Sequence, residues 1–244
     1  MDKIVSLSNI ANILRKDSKN IFRDPLFAMV FIAPFLIIAV VFAGFPLVSK
    51  LLLKYLNFDS VPFYPPVITF MASVPGLMCG AVAGLMLLDD RDEKILLQIS
   101  VTPFGLIRYF IYRTGFLSFL CFVFSMVFLM LNPLTPLDLP RAAALSLSIS
   151  IEAIILALFL AVFASNKVQG LTLTKAGGIF LIGPFTAFFI PAPYNFLTAF
   201  IPTFWNGMVV YTDGLPAALY AAAGILFHLA ILYLFIRKAR KTLF

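Results

Sequence analysis

An all-α, polytopic membrane protein is the fold class this sequence predicts, and three observations predict it. The mean hydropathy is +1.03 and 28 of the 244 residues are Phe, more apolar surface than one soluble core of this size can hide. Formal charge is absent from 26–49, 60–88, 114–137, 176–212 and 214–236, and Glu152 alone interrupts 142–166. Each run exceeds the roughly 20 residues that cross ~30 Å of hydrocarbon at 1.5 Å per residue. The basic residues, finally, gather at the ends of these runs, a pattern of topology rather than of nucleic-acid binding. Lipid is the expected partner, and a single transmembrane domain covers 1–244.

Charge sets the orientation. With both tails and alternate loops inside, 15 of the 18 Lys and Arg lie in the cytoplasm, leaving Lys50, Lys54 and Arg141 outside. That asymmetry predicts six crossings with both termini cytoplasmic.

Residues 1–24 come first. Leu7, Ile10, Leu14 and Ile21 recur at helical spacing with Lys3, Arg15, Lys16 and Lys19 on other faces, the pattern of an amphipathic helix lying on an anionic surface. Asp24-Pro25 then caps the first span, which is long enough to remain as an anchor rather than a cleaved leader. The outside loops ending in "YPPV", "NPLTPLDLP" and "DGLP" place proline near the entry to spans two, four and six. In span two, Gly76, Gly80 and Gly84 fall four residues apart with Ala72 one step back. They form a flat stripe for helix packing or for the seam of a dimer. Span five is expected over 174–190, kinked at Gly183-Pro184. The proline-broken stretch 191–213 is expected to re-enter the outer leaflet without crossing, with Tyr194, Trp205 and Tyr211 at the interface.

Catalytic chemistry is sparse. The one histidine, His228, has no HExxH neighbourhood and reads as a bundle residue, and no metal-ligand set is evident. No GxxxxGK[ST] stretch occurs, so the chain is not expected to split ATP through a P-loop, and no catalytic residue or cofactor is assigned to it. Cys79 and Cys121 sit inside apolar spans and read as packing residues, not a bridge. Glu152 is the one charge deep in a span. It is either hydrogen-bonded to Ser146, Ser148, Ser150 or another helix, or a contact for a cationic substrate or a proton.

The remaining anomaly is "LLDDRDEKILLQISVTPFG", where Asp89, Asp90, Arg91, Asp92, Glu93 and Lys94 are charged in succession. Summed at about 2.5 to 3.5 kcal/mol each, six such charges could not sit at a bilayer centre, so they are expected to meet water or another protein. The apolar run that follows, from Ile95, Leu96 and Leu97 to Val101, suits a short helix parallel to the membrane, with Thr102-Pro103 as cap and restart for span three.

This segment, with "RDPLFAMVFIAPFLI" at span one and "ASNKVQGLTLTKAGG" between spans four and five, resembles the permease subunits of type-2 ABC exporters. The resemblance implies that 89–103 is a cytoplasmic coupling segment gripped by a separate ATP-binding subunit, with Glu93 opening its helix and Thr102-Pro103 ending it. Lys94-Ile95 stands where many relatives have Gly-Thr. It also implies a dimer with a second permease, identical or paralogous, and ATP with Mg in the ATPases. The location it implies is a bacterial or archaeal cytoplasmic membrane. The expected activity is export of an amphipathic drug, lipid or peptide; a self-contained ion- or proton-coupled carrier using Glu152 is the rival.

Overall fold

The computed structural model describes residues 25–103 and 105–242, so the surface helix expected over 1–24 lies outside the described residues. Every regular element among them is helical. Six stretches are long and apolar enough to cross a membrane: Ile32–Leu56, Val61–Asp92, Leu106–Leu131, Leu139–Phe163, Lys167–Phe189 and Gly214–Lys241. The chain is a multi-pass membrane protein.

Span one joins α1 (Pro25–Ala39) to α2 (Phe45–Leu56) through a wide π turn at Val40–Gly44. The turn widens just before Pro46, whose missing N–H and bulky ring interrupt the i to i−4 ladder. Asn57 closes α2 in the left-handed region at φ 50°, which a short polar side chain tolerates. The loop prolines fall as expected, near the starts of α3 (Tyr64–Asp92), α6 (Leu139–Phe163) and α10 (Gly214–Thr242), while Pro34 and Pro75 lie inside α1 and α3.

Helix α3 is the axle of the bundle, 72% buried over its apolar window. It packs on α5 (Leu106–Leu131) and α6, and the three share one core that includes Ile68, Ala72, Cys79, Leu117, Cys121 and Ile149. Both cysteines are buried and unbridged. The glycine stripe faces α6 of the same chain: a Cβ on Gly80 would come within 2.6 Å of the Ala153 carbonyl oxygen, and one on Gly84 within 2.7 Å of Leu160. Of the two readings of Gly76, Gly80 and Gly84, helix packing is the one realised, and the dimer-seam alternative is corrected because α6 occupies that face.

One boundary differs from expectation. Residues 167–173, expected in a loop, belong to α7 (Lys167–Gly177), and span five continues through a 3₁₀ stretch, Gly178–Ile182, into α8 (Gly183–Phe189). The cause is a local cap: the Asn166 side chain accepts the Gln169 N–H at 2.9 Å while Gln169 Oε1 accepts the Ser165 N–H at 2.7 Å. In 191–213 the chain makes a 3₁₀ turn, Tyr194–Thr198, and α9 (Pro202–Tyr211). Ten residues reach ~15 Å, half a crossing. Helix α9 is wedged between α8 and α10. Trp205 and Tyr211, expected at the lipid interface, give their polar hydrogens to the chain itself, to the carbonyls of Ala199 and Pro184.

Candidate functional site

Two polar places stand out in the apolar bundle. At one end, α3 runs on as helix through Asp92, so the charge run begins on the most buried span rather than in a turn. Asp90 is buried, receiving the Tyr109 hydroxyl and, at 3.3 Å, the Arg113 guanidinium. Arg91 reaches the last carbonyls of α6, donating to Ala161 O at 3.3 Å and Ala164 O at 2.6 Å, a cation where the helix dipole favours one. Asp89 pairs with Lys167 Nζ at 2.7 Å, and Asp92 accepts the Lys167 backbone N–H at 3.2 Å at the start of α7. Four of the six charges thus meet the rest of the chain, an option beyond the expected water or partner.

The remaining residues turn outward. Glu93 and Lys94 are exposed, and Lys94 adopts φ 60°. That conformation suits glycine, the residue standing there in the resembled family. The turn redirects the chain into α4 (Ile95–Ser100). Ile95 and Leu96 are half-buried, Leu96 against the cluster that includes Leu87 and Phe110, whereas Leu97 is 67% and Val101 86% exposed. Thr102 does not cap the next helix; its hydroxyl bonds back to Ile99 O at 2.7 Å and closes α4. Pro103 ends that segment, and α5 restarts at Leu106 after Gly105 at φ 74°.

The second place lies mid-bundle. Glu152 Oε1 accepts Asn206 Nδ2 of α9 at 2.9 Å and meets His228 Nε2 of α10 at 2.9 Å. His228 is fully buried, and its Nδ1 lies 2.6 Å from the Gly224 carbonyl oxygen one turn back. Of the serines considered as partners, Ser150 bonds to Leu147 O and Ser146 faces the Met126 sulfur. The alternative "another helix" is the one realised. Asn206 and the pairing of His228 with Glu152 were missed in the sequence, where 54 and 76 residues separate them from Glu152. The available signal was that Glu152 and His228 sit near the middle of their helices, at matching depth.

Beside this pair opens a cavity of about 370 Å³, within the size range of small-molecule sites. Its walls come from α3 (Ser73, Leu77), α6 (Ile155, Leu156, Phe159), the span-five 3₁₀ stretch, the entry to α9 (Phe200, Thr203) and α10 (Leu234, Phe235). Glu152 is the one charged lining residue. Among the described residues no group of three His, Cys, Asp or Glu is placed to hold a metal.

Comparison with known proteins bears directly on these features. Two curated proteins of Mycobacterium tuberculosis, fluoroquinolones export permease protein MT2760 of strain CDC 1551 and fluoroquinolones export permease protein Rv2686c of strain H37Rv, are each 28% identical over 231 residues. The match covers 93% of this chain and 92% of each relative. No solved structure matches. A family model described as fluoroquinolones export permease protein Rv2686c-like matches residues 17–236, which takes in both polar places, the first five spans and most of the sixth. With nearly the whole chain matched, and consistent with the type-2 ABC permease resemblance, this protein belongs to the Rv2686c-like family of export permeases.

Proposed function

We propose that the chain is the membrane subunit of an ATP-driven exporter that moves an amphipathic molecule outward, driven by a separate ATPase docked on α4. The observation that carries the reading is α4 itself. It presents Leu97 and Val101 to the outside beside exposed Glu93 and Lys94, an apolar patch with a polar rim such as protein interfaces use. Behind it, Asp89, Arg91 and Asp92 are bonded to the α6–α7 junction, so a push on α4 reaches two spans at once. Asp90 and Arg91 serve this inner linkage, and the docking surface narrows to 93–103. ATP and Mg belong to the partner, a second permease copy or paralogue completes the path, and the bundle sits in a bacterial or archaeal cytoplasmic membrane with both ends inside.

Because the relatives are named for fluoroquinolones export, a fluoroquinolone is the first substrate to assay. The decisive experiment reconstitutes the chain with its cognate ATPase. Replacing Glu93 and Leu97 together by Ala is expected to cut ATP-dependent transport at least tenfold while the protein still inserts and purifies. Unchanged transport in that variant overturns the docking reading. Transport by the chain alone under an ion gradient would favour the self-contained carrier built on Glu152.

A further inference from the structure

The hydrogen bonds around His228 fix how many protons the mid-bundle pair holds. A carbonyl oxygen only accepts, so Nδ1, at 2.6 Å from Gly224 O, carries a hydrogen. A neutral ring would then turn the bare lone pair of Nε2 toward Glu152 Oε1, 2.9 Å away. An unprotonated carboxylate is acceptor-only, and two acceptors do not bond at that distance. One further proton must lie between them, on the imidazole or on the carboxyl. The pair is therefore neutral as a unit, which suits a site with 0% exposure at His228 and 13% at the Glu152 side chain. Both bonds fall on Oε1 and the Glu152 side chain lines the cavity. Among the described residues, the polar side chains that bond to the pair or line its cavity from the packed elements are Ser73 of α3 and Thr203 and Asn206 of α9; none carries a fixed charge.

We infer that the cavity beside Glu152 takes an aromatic organic cation, and that the cation displaces the proton shared by Glu152 and His228. Phe159, Phe200 and Phe235 supply the apolar walls. The carboxylate supplies the counter-charge. Before binding, the pair with its proton is neutral; afterwards the proton has left to water, His228 keeps only its Nδ1 hydrogen, the Nε2–Oε1 contact opens because both atoms now only accept, and carboxylate plus cation are again neutral. Neither state leaves a net charge in the apolar interior, and no bond other than that to the proton is broken. This inference deepens the exporter reading by naming the substrate class. It rests on that reading only for the direction of transport, since binding needs no ATPase.

The test uses the full chain in lipid nanodiscs without its partner, and tetraphenylphosphonium, a cation with no proton of its own. Between pH 6 and 8 its Kd is expected to fall by up to about tenfold per unit, the slope for one proton released per cation bound. Heats of binding in phosphate and in Tris should differ by that one proton. In Glu152→Gln, which keeps the size and an acceptor oxygen but removes the charge and the exchangeable proton, the pH slope should vanish and affinity at pH 8 should drop at least tenfold. Leu77→Trp, which fills the cavity and leaves the carboxylate, should abolish binding. A pH-independent Kd in the unmodified chain, equal binding to Glu152→Gln, or unaltered binding to Leu77→Trp each overturns the inference. Neutral Nile red binding as tightly and with the same dependence on Glu152 would reduce the cavity to an apolar groove and overturn it as well. Failure of the α4 variant in transport assays leaves these binding outcomes untouched, so the two readings fail separately.

Discussion

Helix α6 has two unlike faces. Toward α3 it is sealed: Ile149, Ala153, Ala157 and Leu160 are buried, and the small residues Gly76, Gly80 and Gly84 let the two backbones approach so closely that a Cβ on Gly80 would meet the Ala153 backbone. Toward α9 and α10 it is loose: Glu152, Ile155, Leu156 and Phe159 are only half-buried and line the cavity. Residues one position apart, Glu152 and Ala153, belong to opposite regimes. In lipid, apolar side chains gain nothing by meeting each other rather than acyl chains, so tight seams come from backbones that can touch. On the other side the helices meet through larger groups: Phe159 and Phe163 of α6 touch Phe235 of α10 edge to face, and Glu152 is hydrogen-bonded to Asn206 and His228.

The contrast can be broken hardest at Gly80. Gly80→Leu puts a branched side chain against the Ala153 backbone and the Leu156 side chain, and it is expected to destabilise the fold by about 3 kcal/mol. The measurement is a fluorescence size-exclusion melting curve, where a Tm within 2 °C of the parent, roughly the shift of under 1 kcal/mol, would mean the seam is slack. Next in size is the pin on the loose side. Glu152→Ala leaves His228 and Asn206 without the acceptor they share and should lower stability by about 2 kcal/mol, whereas Glu152→Gln should stay within about 1 kcal/mol of the parent. Equal melting of the two variants would mean that the shared acceptor contributes nothing to stability. The smallest effect belongs to Ile155→Phe, which grows into the cavity and should change stability by less than about 1 kcal/mol. A larger loss would show the loose face to be packed after all.

Much of the fold was legible because hydropathy alone marks spans: six charge-poor runs became six long helices, and Pro65, Pro140 and Pro216 stood near the helix starts. What escaped was decided by contacts that span length cannot encode. The stripe at Gly76, Gly80 and Gly84 announced close approach but not to which helix. Asp90 and Arg91 read as surface charge because a run of six charges resembles a solvated turn; Tyr109, Arg113 and the α6 carbonyls that satisfy them lie elsewhere in the sequence. Lys167 looked like a loop residue, yet the Asn166–Gln169 cap, visible as spacing, already started a helix there. Glu152 stood out in the sequence as the one charge deep in a span. His228 was set aside as an ordinary bundle residue, and only the packing of α10 on α6 turned two isolated polar residues into one unit.

The burial of the spans has a consequence for how the chain is made. Over its apolar window span one is only 11% buried against the rest, compared with 72% for span two. A helix that touches so little can rest in lipid as soon as it leaves the ribosome, satisfied by acyl chains and waiting for no later segment. The second span cannot settle until α6 has been synthesised, because the atoms that meet Gly76, Gly80 and Gly84 belong to α6. Assembly should therefore stall late, at the fourth crossing, and a nascent chain cut short before Leu139 should be the form that quality-control proteases remove.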